Sequence, residues 1–263
     1  MRIDLGGRSA LVCGASAGIG YAVAQSLSAA GANVMICSRN EKTLTAAATS
    51  LMSGKTQEVI PVVADMTRVE DIDALTSAAL EHFGTVDILV NNTGGPPPGN
   101  FDDLDEQAWR EAVNLTLLSA IETTRRVLPA MRQQGWGRIV NVTSTSVKQP
   151  VEGLLLSNSI RMAVVGWAKS LANEVGPDGV LVNNVCPGYM ATERLDQLAA
   201  SLAIKEAITE AEIRARWAAK APLRRIGDPV ELAQLVVFLA SDEASYITGT
   251  TIAVDGGRNQ MVT

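Results

Sequence analysis

Apolar residues along this chain fall into two rhythms. Short continuous runs, such as SALVC at 9–13, NVMIC at 33–37 and VDILV at 86–90, are bounded by Gly, Asn or charged residues. Between them lie longer stretches in which apolar positions recur every three or four residues. The first rhythm predicts buried strands and the second predicts helices packed on them. The expected order opens with a strand at 9–13, a helix at 19–30 stopped by Gly31, and a strand at 33–37. A helix at 41–52, a strand at 58–63, a helix at 69–83 stopped by Gly84 and a strand at 86–90 follow. After the loop GGPPPGNF come a long helix at 106–133, a strand at 138–142, a helix at 157–175 and a strand at 180–185. The chain then reads as an Ala-rich helical stretch at 192–220, a helix at 229–240 and a last strand at 250–254.

Continuous apolar strands separated by helices imply a parallel sheet covered on both faces. Right-handed crossovers turn that order into a single doubly wound α/β Rossmann domain, with seven parallel strands flanked by helices. No stretch is rich enough in Pro, Gly or Ser to be a linker and no repeat is visible, so one domain is expected over residues 1–263. In such a sheet a ligand is expected beyond the carboxyl ends of the strands.

Composition narrows the classes. The net charge of −6 and the absence of a basic run argue against nucleic acid or an anionic membrane as a partner. A small-molecule substrate is expected instead. Cys13, Cys37 and Cys186 form no CxxC pair and sit in or beside apolar runs, as buried free thiols do. His82 is the only histidine, which leaves little from which to build a metal site or a histidine triad, so no metal is expected. The opening MRIDLGGRSALVCG lacks the order of a signal peptide, and no apolar run has the length of a membrane span. A cytoplasmic location is the expectation.

The first strand leads into Gly14-Ala15-Ser16-Ala17-Gly18-Ile19-Gly20, and a helix follows. Glycine permits a tight turn and a close approach of backbone to pyrophosphate, which meets the positive end of the helix. Its place between strand and helix makes this a candidate dinucleotide site. At the end of the second strand an acid would accept the ribose hydroxyl of NAD, whereas arginine accommodates the 2′-phosphate of NADP. Here Ser38 and Arg39 stand there, with Lys42 a turn later and no acid at the critical position. A guanidinium grips phosphate through two hydrogen bonds. NADP(H) is therefore the preferred cofactor, with NAD(H) possible.

Further segments carry a resemblance. Asp65-Met66 in ADMT follows the third strand, Asn91-Asn92-Thr93-Gly94 the fourth, and Pro187-Gly188 with Thr192 the sixth. Together with the glycine turn and the C-terminal run from Pro222, PLRRIGDP…FLASDEASYITGTTIAVDGG, they resemble the short-chain dehydrogenase/reductase family over nearly the whole chain. The likeness is to members similar to 3-oxoacyl-(acyl carrier protein) reductase. It implies hydride transfer between a nicotinamide and a carbonyl or alcohol. It also implies that Asp65, with Met66 beside it, lies at the adenine, and that Asn91, Thr93 and Gly94 lie along the cofactor. Pro187, Gly188 and Thr192 would lie at the nicotinamide carboxamide. A homotetramer or homodimer follows by the same analogy, with helices 106–133 and 157–175 pairing across a two-fold axis.

Four catalytic positions test the resemblance. Family members usually carry Ser, then Tyr thirteen residues later, then Lys four beyond, and Asn in the preceding long helix. Ser144 fits the serine, but the next two positions hold Ser157 and Arg161, in a register fixed by the downstream VVGWAKSLA. The spacing from Trp109 puts Thr116 at the Asn position; Asn114, two residues away, points about 200° round a helix. A serine hydroxyl is a far weaker acid than a phenol, and an arginine effectively never gives up its proton. Tyr189 and Lys148 are the other residues near enough in sequence to approach the site, although packing and solvation account for both.

Three functional readings follow. The leading one is an NADP(H)-dependent oxidoreductase acting on a carbonyl/alcohol or imine with non-standard proton delivery: Ser144, Ser157 and Thr116 line the reacting group and Arg161 positions cofactor. A protonated imine suits it because its reduction needs no acid. The second is a catalytically silent NADP(H)-binding member acting as sensor or partner subunit. The third is elimination or isomerisation on the same scaffold. Cofactor turnover separates the first from the others. Substrate contacts are expected from 94–101, 147–156 and the segment after Thr192, which reads equally as a lid or an oligomer contact.

Overall fold

The structure is a computed structural model that describes residues 3–53 and 57–262. Met1, Arg2 and Thr263, the ends of the expected domain span, lie outside the described residues, as do residues 54–56.

Seven strands form one parallel sheet: β1 (Ser9–Val12), β2 (Asn33–Ser38), β3 (Val59–Val63), β4 (Ile88–Asn91), β5 (Gly137–Val142), β6 (Val180–Pro187) and β7 (Thr251–Val254). Their order across the sheet is β3-β2-β1-β4-β5-β6-β7. The chain winds outward from β1 to β3 and then returns past β1 to lay down β4. The reversal opens a crevice at the carboxyl ends of β1 and β4, where a doubly wound sheet takes its ligand.

Helices α1 (Gly18–Ala29), α2 (Glu41–Met52) and α3 (Val69–Phe83) follow the first three strands. Next come α4 (Glu106–Ala112), α5 (Ser119–Gln134), α6 (Leu155–Val175), α7 (Glu193–Glu206), α8 (Glu210–Ala219) and α9 (Pro229–Leu239). One face of the sheet packs on α1, α2 and α9 through residues such as Val23, Leu27, Leu44 and Val236. The other packs on α3, α5 and α6 through Leu75, Val127, Met131 and Ala168. With both faces covered, the central strands are wholly buried, which explains their unbroken apolar runs. The three cysteines are free and buried.

Polar side chains cross the sheet in a single row. Asn91 Nδ2 donates to Asn141 Oδ1 (2.9 Å), Asn141 Nδ2 to Asn184 Oδ1 (3.0 Å), and Asn184 Nδ2 to Thr251 Oγ1 (3.1 Å). These residues pair strand to strand, so the ladder ties β4, β5, β6 and β7 in register. A one-residue slip would leave buried amides without partners.

Two expectations change. The long helix at 106–133 is interrupted: Val113–Leu118 forms a π-helical segment between α4 and α5. The stretch at 192–220 is two helices, parted at Ala207 in the left-handed conformation (φ 54). Those helices share a small core of Leu195, Ala199, Ala203, Ile213 and Trp217. Among the described residues no helix is long and apolar enough to cross a membrane.

Candidate active site

The turn after β1 is shaped by what a side chain would strike. Gly14 sits at φ 60, and a Cβ there would lie 2.6 Å from the Asn92 carbonyl oxygen. A Cβ on Gly20 would come within 2.2 Å of the Gly14 carbonyl oxygen. Asn92 holds the turn from β4, its Nδ2 donating to the Cys13 and Gly14 carbonyls at 3.1 Å each. Helix α1 begins at Gly18, with no cap from Ala17 and no acid in its first turn. Its leading N–H groups therefore face the crevice, ready for an anion. Ser16 and Ile19 flank them half-buried, and the Thr192 methyl lies 3.3 Å from where a Gly18 Cβ would sit.

At the end of β2, Ser38 donates weakly to the Asn40 carbonyl (3.4 Å). Arg39 is exposed and makes no hydrogen bond or ion pair among the described residues. It faces Asp65 past the end of β3. Burial would raise the Asp65 carboxyl, but the Thr67 N–H and hydroxyl, with the charges of Arg39 and Arg68, hold it below the usual range. Met66 is buried beside it, against the Cys37 thiol.

Beyond β4 and β5 a small cavity of about 10 Å³ is lined by Asn91, Thr93, Thr116, Asn141, Thr143 and Arg161. The π-helical segment aims Thr116 into it; Thr116 Oγ1 is buried without a hydrogen-bond partner. Asn114 is exposed, as the helical spacing predicts. Local π-helical turns of this kind are frequent at functional sites.

The turn after β5 assembles the hydroxyls. Ser144 caps the short helix Thr145–Val147 by accepting from the Ser146 N–H at 3.1 Å. Ser146 Oγ in turn meets Ser157 Oγ, in the first turn of α6, at 3.4 Å. One turn deeper, Arg161 Nη1 donates to the carbonyls of Val142 (2.9 Å) and Thr143 (3.1 Å). Burial draws this guanidinium down to about 10, with the charge of Arg194 adding to the effect and Cys186 opposing it. It is still a cation at neutral pH, and no carboxylate among the described residues pairs with it.

The far wall comes from β6 and β7. A Cβ on Gly188 would lie 2.7 Å from Asp255 Cβ, so this glycine serves strand packing. Tyr189 stands two residues past the end of β6. Its ring stacks on Trp217 (centroids 5.1 Å apart, 19° between planes) and lies under the Arg258 guanidinium (4.5 Å). These groups border a second hollow of about 230 Å³ that reaches Leu223 and Arg225. Of the residues expected around the crevice, Asn91, Thr93, Thr116 and Arg161 line one cavity and Thr192 lies against Gly18, whereas Lys148 is half-buried. Sequence spacing missed Ser146, Arg194 and Arg258. Arg194 Nη2 reaches the Pro96 carbonyl (3.3 Å) and Arg258 Nη1 the Thr145 hydroxyl (3.1 Å), across 98 and 113 residues. No local pattern announces such contacts.

The comparisons with known proteins agree on one lineage. Residues 14–259 match the family described as enoyl-(acyl carrier protein) reductase. The chain is 37% identical to the oxidoreductase UcpA of Salmonella typhimurium, covering 96% of this chain and 95% of that protein. It is 36% identical to the 3-oxoacyl-[acyl-carrier-protein] reductase of Vibrio cholerae, over 97% and 98% of the two chains. Among solved structures, the L-sorbose reductase of Gluconobacter frateurii, complexed with NADPH and L-sorbose, superposes with a TM-score of 0.95 at 30% identity and full coverage of both chains.

Proposed function

The chain belongs to the short-chain dehydrogenase/reductase family and is an oxidoreductase, and from that membership we propose that it uses NADP(H) on a carbonyl/alcohol or imine without a tyrosine proton donor. The observation that carries this reading is the buried Arg161, bonded to the Val142 and Thr143 carbonyls one turn past Ser157, whose hydroxyl meets that of Ser146. In the family register, Ser157 and Arg161 hold the places of the tyrosine and lysine.

The residues fit the cofactor. Glycine at 14 and 20 lets the turn pack where a Cβ would strike the backbone oxygens of Asn92 and Gly14, and the first N–H groups of α1 are then free to receive a pyrophosphate. Arg39, unpaired by any carboxylate among the described residues, suits a 2′-phosphate. The related L-sorbose reductase was solved with NADPH, which supports the same choice here. When bound, the nicotinamide supplies or accepts a hydride.

The chain's own groups then orient and polarise. Ser144 Oγ accepts from the Ser146 N–H, which leaves its own hydrogen to donate to a substrate oxygen or nitrogen. Ser157 offers a second hydroxyl at the same rim. Arg161 keeps its proton at neutral pH, so it supplies positive potential against developing negative charge and does not relay protons. Positioning accounts for several kcal/mol of barrier lowering, while the absent general acid forfeits roughly 10²–10⁴-fold. A protonated imine escapes that loss. Copies of the chain are also proposed to pair through α5 and α6, where Leu118 and Met162 stand exposed nearby.

A second reading, cofactor binding without turnover, is favoured by one observation. Tyr21 is bonded to Ser50, Tyr246 is fully exposed and the Tyr189 ring is stacked on Trp217, and on the proposed reading none of them serves as the proton donor. Absorbance-monitored oxidation of NADPH against ketones, imines and acyl thioesters distinguishes the two. Turnover on any of them, fastest on an imine, is expected; NADPH binding with no turnover on all three classes selects the second.

A further inference from the structure

We infer that Arg194 anchors a carboxylate on the substrate, so that the enzyme selects oxo acids, or the matching hydroxy or imino acids, over neutral carbonyl compounds. The inference rests on the oxidoreductase reading above. It starts from the place Arg194 occupies. From the first turn of α7 its side chain crosses the mouth of the crevice to the backbone that follows β4, where Nη2 donates to the Pro96 carbonyl at 3.3 Å. A Cβ on Gly95 would lie 2.9 Å from that same Nη2, so the glycine lets the guanidinium rest against the chain.

Most of its donors are unspent. One long hydrogen bond to a neutral carbonyl is the only polar contact of Arg194 among the described residues. The acids beside it on α7 are engaged elsewhere: Glu193 accepts from Gln197, and Asp196 is bonded to Arg214 at 2.6 Å. Arg216, on α8, is likewise paired, with Glu206. An arginine fork held open at a crevice mouth is the geometry that receives a carboxylate through two parallel hydrogen bonds.

Its neighbours strengthen the case. Arg194 is close enough to Arg161 for its charge to help lower that buried guanidinium, after the larger effect of burial. Lys148 and Arg161 both act on the Cys186 thiol, opposing part of the rise that burial imposes. Arg194 thus acts on Arg161, and Arg161 and Lys148 on Cys186, with no carboxylate of the described residues bonded to any of these three cations. Like charges gathered without a counter-ion repel one another, and an anion entering the crevice relieves that repulsion. A cofactor pyrophosphate is the alternative anion, and the test separates the two.

The probes are pyruvate, acetoacetate and levulinate, with their methyl esters as neutral counterparts and the spacing of carbonyl from carboxylate varied across the set. Each is titrated calorimetrically into the full chain saturated with NADP⁺, which cannot reduce them, and each is assayed for turnover with NADPH. At least one acid is expected to bind more tightly than its ester. Arg194→Gln should weaken that acid roughly 10- to 100-fold, in Kd and KM, with kcat and the ester's KM little changed. Arg194→Lys should restore part of the loss, and the NADPH Kd should be the same in all three proteins. The inference is overturned if acids bind no better than esters, if the substitution affects both alike, or if it weakens NADPH, which would assign the arginine to the pyrophosphate. Failure of the parent protein to bind any nicotinamide nucleotide would instead overturn the oxidoreductase reading and this inference with it.

Discussion

The turn after β1 and the turn after β5 end two strands of one sheet on the same edge, yet they work with different atoms. The first is backbone throughout: glycines at 14, 18 and 20, carbonyls and helix N–H groups, with Asn92 as its one side-chain brace. The second is almost all side chain, with Ser144, Ser146, Ser157 and Arg161 arranged through hydroxyls and a guanidinium. A backbone site tolerates no added carbon but is indifferent to the chemistry of its surroundings. A side-chain site keeps its shape through many substitutions and changes its chemistry with each. On the proposed reading, that contrast is how a chain could keep a nucleotide cradle while the groups beside the reacting centre change.

Breaking the first turn should have the largest effect. Gly20→Ala places a carbon 2.2 Å from a backbone oxygen. It should weaken NADPH binding on the order of 100-fold or more and lower stability by roughly 1–3 kcal/mol, read by calorimetry and by denaturant unfolding. Next is Arg161→Met in the second turn. Turnover should fall about 100-fold, while the melting temperature moves little, because relief of a buried unpaired charge offsets the two carbonyls left without a donor. A large loss of stability with unchanged specific activity would make Arg161 a structural group and erase the contrast.

Two smaller effects sharpen it. Arg39→Ala should lower NADPH affinity about 10-fold or more and leave NADH affinity alone, so that the preference between them disappears in paired titrations. Ser157→Ala should slow steady-state turnover only a few-fold; a fall on the order of 10⁴-fold would identify that hydroxyl as the proton donor.

The same contrast explains what the sequence disclosed. Strands and helices stood within a residue or two of their predicted bounds, because buried parallel strands and glycine stops leave strong local marks, as at Gly31 and Gly84. The glycine turn between β1 and α1 was legible for the same reason: its shape depends on glycine spacing over seven consecutive residues. The π-helical segment at Val113–Leu118 was not, since six residues of wider turn barely disturb a helical apolar pattern. Nor was the break between α7 and α8, which turns on Ala207, a residue that favours helix. Arg194 and Arg258 were invisible because their partners lie about a hundred residues away, and only the closed sheet brings them together. The spacing from Trp109 singled out Thr116, but that its hydroxyl is buried and unpartnered could be read only from the fold.

The most direct test is a parallel calorimetric titration of the pure, folded chain with NADPH and with NADH. The account predicts that both nucleotides bind and that NADPH binds at least about 10-fold more tightly. No heat and no thermal stabilisation with either nucleotide, or equal affinity for both, would contradict it.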